Sequence, residues 1–375
     1  MKVGIVYPYF AHYRGPLIEE LLEDNNKDYF FIGGTKVPNN LKSLKLYPFE
    51  GEKTNRFIKL KNLWFFNYFL IQFNLIKTIR REKFKCLIFF GDWKYLSYWY
   101  TLLYCRRNKI PCLFWGHGVL VNKNDLNTKL KYKFLELFPQ GGLLYGEKAK
   151  ETMIKWGYKK ELRVIYNSID YKKQLHYNNN TQEEKLNLFK NDHPYIIFSG
   201  RLIDIRKLDV LLKAVSILKA SNIELNVLIV GNGPMEENLK KMTNDLKLDD
   251  NVIFYGACYD EKILAKFFKN SMCSVFPGPI GLSLIHGMTY GVPVIINDNY
   301  DSHKPEIEAF LEGETGFVFA ENDALSLSKV LTKMLDLPID RRNEMKAKSA
   351  EIIREKYNPL VQANLINKRI EEIFN

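Results

Sequence analysis

"PGPIGLSLIHGMTYGVPVI", residues 277–295, reads as a turn, a glycine, a short helix, a second glycine and a buried strand. Such a helix-to-strand unit, entered through a glycine turn, belongs to a parallel sheet with crossover helices. The stretch contains no carboxylate.

The same rhythm extends to both sides. Upstream and downstream lie "YIIFSG" (195–200), "LNVLIVGNG" (225–233), "NVIFYG" (251–256), "CSVFPG" (273–278), "VPVIIND" (292–298) and "GFVFA" (316–320), alternating with segments of helical length. The front half carries an equivalent series: "VGIVYP" (3–8), "YFFIGG" (29–34), "CLIFFGD" (86–92), "PCLFWGHG" (111–118), "GGLLYG" (141–146) and "RVIYNS" (163–168). Several runs end in Gly, Asn or Asp, where an open parallel sheet presents its ligand-binding loops. The expectation is an α/β protein of two Rossmann-like domains, 1–170 and 194–357, joined by a polar linker at 171–193 and closed by a helix at about 358–375 that returns to the first domain. A chain of 375 residues has room for two such cores.

Composition narrows the class. Hydrophobic residues make up 46% of the chain, and no low-complexity tract or fixed-period repeat is present, so the protein is globular. The five cysteines are odd in number and lack a CxxC pair, which predicts reduced thiols and no metal site. The start "MKVGIVYPYF" enters a strand directly, and the most apolar window, "LWFFNYFLIQFNLI" (63–76), is shorter than the roughly 20 residues of a spanning helix. The expectation is a cytoplasmic protein able to lie peripherally on the cytoplasmic face of the membrane. Residues 1–170 hold 29 Lys and Arg against 15 Asp and Glu, while 171–375 hold 26 against 28. An excess of cations confined to the front half suggests an anionic surface as partner. No nucleic-acid module is recognisable, so no nucleic acid is expected. The aromatic and basic stretch 56–85 has helical spacing, suiting either a core helix or one laid on anionic lipid with Lys59, Lys61, Arg80, Arg81 and Lys83 at the headgroups.

Candidate chemistry gathers at strand ends. In "SGRLIDIRKLDVLLKAV" (199–215), Arg201 projects from a strand and Arg206 and Lys207 open a helix, where the dipole disfavours cations unless an anion sits among them. Gly231 and Gly233 in "GNGP" form a second turn able to admit a ligand. Gly281, Leu282 and Ser283 lead into a helix whose amides face outward, His286 lies one turn in, and Glu306 in "KPEIEAF" offers a carboxylate nearby. In the front half, His117 stands between glycines beyond a strand end. His12, Tyr13 and Arg14 follow the first strand, and Asp92 ends the third of these runs.

Taken together, "SGRL" with the following basic pair and Asp209, then "VGNGP", "NVIFYG", "FPGPIGLSLIHGMTYGVPVI" and "PEIEAFLEGETGF", resemble glycosyltransferase family 4, the retaining GT-B nucleotide-sugar transferases. "PYFAHYRGPLIEELL", "FWGHG" and "IYNSID" resemble the family more loosely. The resemblance implies a GT-B fold, two Rossmann-like domains with parallel sheets facing a central cleft, the donor held by the second and the acceptor by the first. It implies transfer of a hexose or deoxyhexose from a nucleoside diphosphate sugar to a glycan acceptor, a lipid-linked one being expected, without cofactor or metal. Arg201, with Arg206 or Lys207, would neutralise the leaving diphosphate, and His117 would lie near the reacting carbon. Gly231, Gly233, Gly281, Leu282, Ser283, His286 and Glu306 would bind the donor, and His12, Tyr13, Arg14 and Asp92 the acceptor. The family's two glutamates, eight apart, fall on Gly278 and His286, which leaves room for an alternative: a GT-B protein that binds without catalysing.

Overall fold

Leu87, Ile88 and Phe89 are fully buried in sequence, Leu87 and Phe89 in one core and Ile88 in another. A strand covered on both faces reads as a continuous apolar run, the mark of a central parallel strand. In the computed structural model, which describes residues 1–42, 44–120, 125–180 and 186–375, such strands form two separate sheets. The chain divides into one unit of residues 1–170 with 359–375, and a second of residues 171–358.

The first unit contains β1 (Lys2–Val6), β2 (Asp28–Gly33), β3 (Phe57–Lys59), β4 (Asn62–Phe65), β5 (Phe69–Gln72), β6 (Cys86–Phe90), β7 (Cys112–Gly116), β8 (Gly142–Leu144) and β9 (Leu162–Val164). Seven of these make a parallel sheet in the order β3-β2-β1-β6-β7-β8-β9. The final helix, Pro359–Phe374, buries Ala363, Ile366 and Ile370 in the same core as Ile5 and Ile88. Polar contacts fix its register: Tyr29 donates to Asn367 at 2.5 Å, Lys27 pairs with Glu371 at 2.6 Å, and Ser168 donates to Gln362 at 2.6 Å.

The second unit contains β10 (Tyr195–Ser199), β11 (Asn226–Val230), β12 (Val252–Gly256), β13 (Ser274–Phe276), β14 (Val294–Asn297) and β15 (Gly316–Phe319), ordered β12-β11-β10-β13-β14-β15. All pairs are parallel. The twelve runs read from sequence are all strands. All five cysteines are free, and four of them are buried.

Two readings need correction. The stretch 56–85 is not a single helix: it supplies β3, an antiparallel hairpin of β4 and β5, and only then a helix, Leu75–Glu82. The hairpin turns its polar Asn62 and Gln72 inward and leaves Leu63 and Phe65 outward, so the usual alternation of a half-buried strand is inverted and its signal is lost. Residues 171–180, taken as the start of a linker, form a helix, Tyr171–Asn180, that packs on helix Glu261–Asn270 and buries Gln174.

Candidate functional site

Strand order reverses beside the first strand of each sheet, between β1 and β6 and between β10 and β13. Open parallel sheets bind ligands at the carboxyl ends of the strands flanking such a reversal. The sequence-derived candidates cluster at these ends, with each unit having its own set.

In the second unit, three loops meet above β10, β11 and β13. Residues 200–207 follow β10, and their backbone lies against the loop after β11: Gly200 donates to Val230 O at 2.9 Å and Leu202 to Asn232 O at 2.9 Å. A Cβ at Gly231 would stand 1.8 Å from Gly200 O, and one at Gly233 2.3 Å from Leu202 O. The closeness of another backbone therefore accounts for these two glycines, where a ligand was expected to do so. Gly278 has the same origin, since a Cβ there would meet Ile205 O at 2.0 Å. No side chain of any kind fits at this position with loop 205–206 where it is.

Arg206 folds back onto the adjoining loop and donates to Pro279 O. Its Nε is buried without a partner, and burial, with Arg201 adding to it, pulls the guanidinium below its ordinary pKa. Arg201 is exposed. Lys207 pairs with Asp204 at 3.3 Å and has φ 52°, a left-handed conformation uncommon for lysine. The three cations thus have different surroundings: one is folded against the chain, one has an exposed carboxylate partner, and one points to solvent.

The opening stretch forms the turn 277–281 and helix Leu282–Thr289, with Gly281 as N-cap. Ser283 Oγ lies 3.9 Å from where a Cβ on Gly200 would sit, so the helix start and the loop after β10 share one rim. Glu306 is buried, and its Oε2 is 3.6 Å from the corresponding point on Gly281. A carboxylate beside a helix start is electrostatically favoured there. His303, which sequence reasoning passed over, braces the turn: it accepts from Ile280 N at 3.1 Å through Nδ1 and donates from Nε2 to Asn297 O at 3.1 Å.

His286 does not face an open rim with Nε2. That atom lies 2.7 Å from Glu261 Oε1, which also accepts from Tyr290 at 2.5 Å. Burial pushes the Glu261 carboxyl up, but hydrogen bonds from His286, Tyr290 and Gln174 more than offset this and hold it below its ordinary value. The position on which the resemblance would place a second acid thus holds a histidine that engages an acid from another helix. Glu261 and its 25-residue separation from His286 left no local signal in the sequence.

In the first unit, the ends of β1, β7 and β8 bring together Tyr7, Trp115 and Tyr145 around Arg14. The guanidinium donates to Tyr145 Oη at 2.5 Å and lies 5.2 Å from the Tyr7 ring centre, 5.3 Å from that of Trp115 and 5.8 Å from that of Tyr13. Cation–π contacts of this kind contribute about 0.5–2 kcal/mol each, more when desolvated. Burial raises the Tyr7 pKa well above its ordinary value, so the phenol stays neutral. Trp115 Nε1 is buried without a hydrogen-bond partner. His117 stacks edge-on against Tyr145 at 4.9 Å, which joins it to the Arg14 cluster. His12 and Tyr13 are exposed, and His12 Nδ1 donates to Lys45 O at 3.1 Å. Asp92 accepts from Lys94 N at 3.1 Å and closes a turn; the helix Leu96–Arg107 is capped at Tyr95 instead. The rings of Tyr7, Trp115 and Tyr145, each at a strand end, were legible as positions but not as partners of Arg14.

Comparison with known proteins agrees with this layout. The Anabaena protein HepE, solved in complex with UDP, superposes with a TM-score of 0.72 over 99% of this chain and 100% of its own, at 12% identity. The fold is GT-B. In this GT-B chain, residues 179–352, nearly all of the second unit, match the family model described as glycosyl transferases group 1. A Haemophilus influenzae uncharacterized glycosyltransferase is 27% identical over 164 residues, 43% of this chain and 45% of that protein. A Mycolicibacterium smegmatis GDP-mannose-dependent alpha-(1-6)-phosphatidylinositol monomannoside mannosyltransferase is 26% identical over 163 residues, 40% of each. The chain thus spans under half the length of these curated relatives. Among the described residues, no helix is long and apolar enough to cross a membrane.

Proposed function

We propose that the protein is a family 4 glycosyltransferase that moves a hexose or deoxyhexose from a nucleoside diphosphate sugar to a glycan acceptor, with retention of configuration. The observation that carries this reading is the family match over 179–352, which falls on the unit whose loops hold Arg201, Arg206, Lys207 and the helix start at 281–283. A lipid-linked acceptor in cell-surface polysaccharide synthesis, at the cytoplasmic membrane face, is the setting we infer.

In this reading the bond between the anomeric carbon and the diphosphate oxygen breaks while the acceptor hydroxyl oxygen bonds to that carbon from the same face. The hydroxyl proton passes to the departing phosphate oxygen, so no enzyme carboxylate has to attack. Growing charge on the diphosphate is met by Arg201 and Lys207, and by the amides of Leu282 and Ser283 at the helix start. These groups take the part a metal plays elsewhere, and no cofactor is required. Arg206 then acts by holding the turn at Pro279. Glu306 and the backbone of Gly281 flank the donor sugar, Gly231 and Gly233 shape the neighbouring loop, and His286 supports the nucleotide side through Glu261. On the acceptor side, His117 and Arg14 meet the incoming glycan, with His12, Tyr13 and Asp92 at the edge.

The absence of space at Gly278 favours a second reading, in which the GT-B frame binds a nucleotide sugar without turning it over. One experiment separates the two. Thermal shifts with UDP-, GDP- and dTDP-sugars identify the donor, since a ligand at 100 times its Kd adds about 2.7 kcal/mol of stability; release of the diphosphate from that donor then reports turnover. Binding with no release by wild type, with or without glycan acceptors, would favour the inactive reading. Binding of none of the donors would remove both.

A further inference from the structure

The hairpin of β4 and β5 is built inside out. Its inward side carries two buried polar residues beside Trp64 and Leu70: Asn62 donates to Pro8 O at 2.7 Å, Gln72 donates to Tyr7 O at 3.0 Å and to Asn62 Oδ1 at 3.0 Å, and Trp64 donates to Lys36 O at 2.9 Å. Its outward side carries the cross-strand pairs Leu63 with Ile71 and Phe65 with Phe69. At the tip, Tyr68 N donates to Phe65 O at 2.9 Å, and the central residues Phe66 and Asn67 have φ of 51° and 56°. Tight hairpin turns of this form favour glycine and asparagine, and an aromatic residue with positive φ is conformationally costly. Phe66 is nevertheless 93% exposed.

The surface continues onto the helix that packs against β5. Helix Leu96–Arg107 leaves Leu96, Tyr100 and Leu103 exposed at a spacing of four and three residues, which places them on one stripe. Exposed apolar patches of this extent mark an interaction surface. The charge along it is mainly positive, with Asp92, which accepts from Lys94 N, at its border. Residues 57–81 contain five Lys and Arg and no Asp or Glu, and residues 93–120 contain four and none. Lys94 lies 3.9 Å from the Tyr68 ring centre and Lys61 5.9 Å from that of Phe73, so cations stand among the exposed rings.

We propose that the β4–β5 hairpin, with the exposed stripe of helix Leu96–Arg107, docks on an anionic lipid bilayer, Phe66 entering the interface and Lys61 and Lys94 meeting the headgroups. Aromatic rings flanked by cations that outnumber carboxylates are the composition that the boundary between headgroup and acyl chain selects. A protein partner recognised by the same patch would have to be as uniformly acidic as the lipid surface. The arrangement also has a geometric sense, because the hairpin is bonded to the backbone of Tyr7 and Pro8 at the end of β1. Docking there brings the Arg14 cluster next to the membrane, where a lipid-linked acceptor resides. The proposal does not rest on sugar transfer.

The test is cosedimentation of the full chain with phosphatidylcholine vesicles, with and without phosphatidylglycerol, for wild type, Phe66→Ser and Lys61→Glu/Lys94→Glu. Wild type should sediment with the anionic vesicles and not with the neutral ones. Phe66→Ser should bind about tenfold more weakly, the scale of one apolar side chain withdrawn from the interface. The double charge reversal should abolish binding. Nucleotide-sugar thermal shifts of Phe66→Ser should match wild type, so that a failure of the donor assignment is seen separately. Vesicle binding that is equal in all three proteins, or absent in wild type, overturns the proposal. So does a soluble dimer of wild type that Phe66→Ser dissolves while lipid binding is missing.

Discussion

The two sheets share a strand order, three strands running outward on one side of the first strand's edge and the rest on the other, but different material lines their ends. Above β10, β11 and β13 the second unit places backbone against backbone, with Gly231, Gly233 and Gly278 each filled by a neighbouring loop and cations arranged around them. Above β1, β7 and β8 the first unit places rings around one guanidinium. Backbone amides and cations suit an invariant group such as the diphosphate of a nucleoside diphosphate sugar. Rings and a single cation suit a partner that varies in shape and offers both apolar faces and charge. The contrast teaches that topology sets where a Rossmann-like unit binds, while the residue class at the strand ends sets what it recognises.

The sharpest way to break this comparison is to remove the solvent-facing cation of the second unit. Arg201→Ala should lower release of diphosphate from the donor by about a hundredfold or more, the effect of losing one preorganised electrostatic contact, with the melting temperature unchanged. Wild-type turnover would detach the glycine loops from phosphate recognition. The glycine explanation is tested next through folding. Gly278→Glu should destabilise the protein by roughly 1–3 kcal/mol or more in urea unfolding, because loop 205–206 must shift; stability equal to wild type would mean the space is not filled as described.

For the first unit, Arg14→Gln should weaken acceptor use while leaving donor thermal shifts intact, with a loss of about tenfold in acceptor KM for the cation–π and hydrogen-bond contacts together. Equal damage to donor binding would erase the distinction between the units. Glu261 supplies a pH test. Its folded-state carboxyl is held below the ordinary 4.5, so the stability it lends is complete above that value and is lost as pH falls through the lower folded value. Glu261→Gln should therefore flatten the decline in melting temperature below pH 4.5, and an unchanged acid limb would count against the His286–Glu261 contact. The smallest effect on stability is expected at Lys207, where Lys207→Gly relieves a left-handed lysine and should add about 1 kcal/mol in urea unfolding while turnover falls.

Much of this was legible in the sequence, because buried parallel strands appear as apolar runs and their ends as Gly, Asn or Asp. What stayed hidden depended on partners distant in the chain. Gly231 looked like a ligand turn because nothing local reveals that Gly200 O occupies its Cβ position. His286 looked available because Glu261 sits on another helix. The β4–β5 hairpin was mistaken for helix because periodicity assumes that apolar residues point inward, and here Asn62 and Gln72 do so. Arg14 is legible as a candidate after the first strand, but two of its ring partners, Trp115 and Tyr145, come from strands more than a hundred residues further on.

The last helix gives the molecule an order of assembly. Ala363, Ile366 and Ile370 complete the core that begins with Val3 and Ile5, whereas the second unit needs only residues 171–358. On the ribosome, the unit made first therefore waits for residues 359–375, about ten to forty seconds after Asp170 is joined at ordinary elongation rates. During that interval the second unit can close while the first holds an uncovered apolar face. Folding from the N-terminus onward is thus inverted, and premature stops after residue 358 should yield a folded C-terminal unit attached to an aggregation-prone N-terminal one.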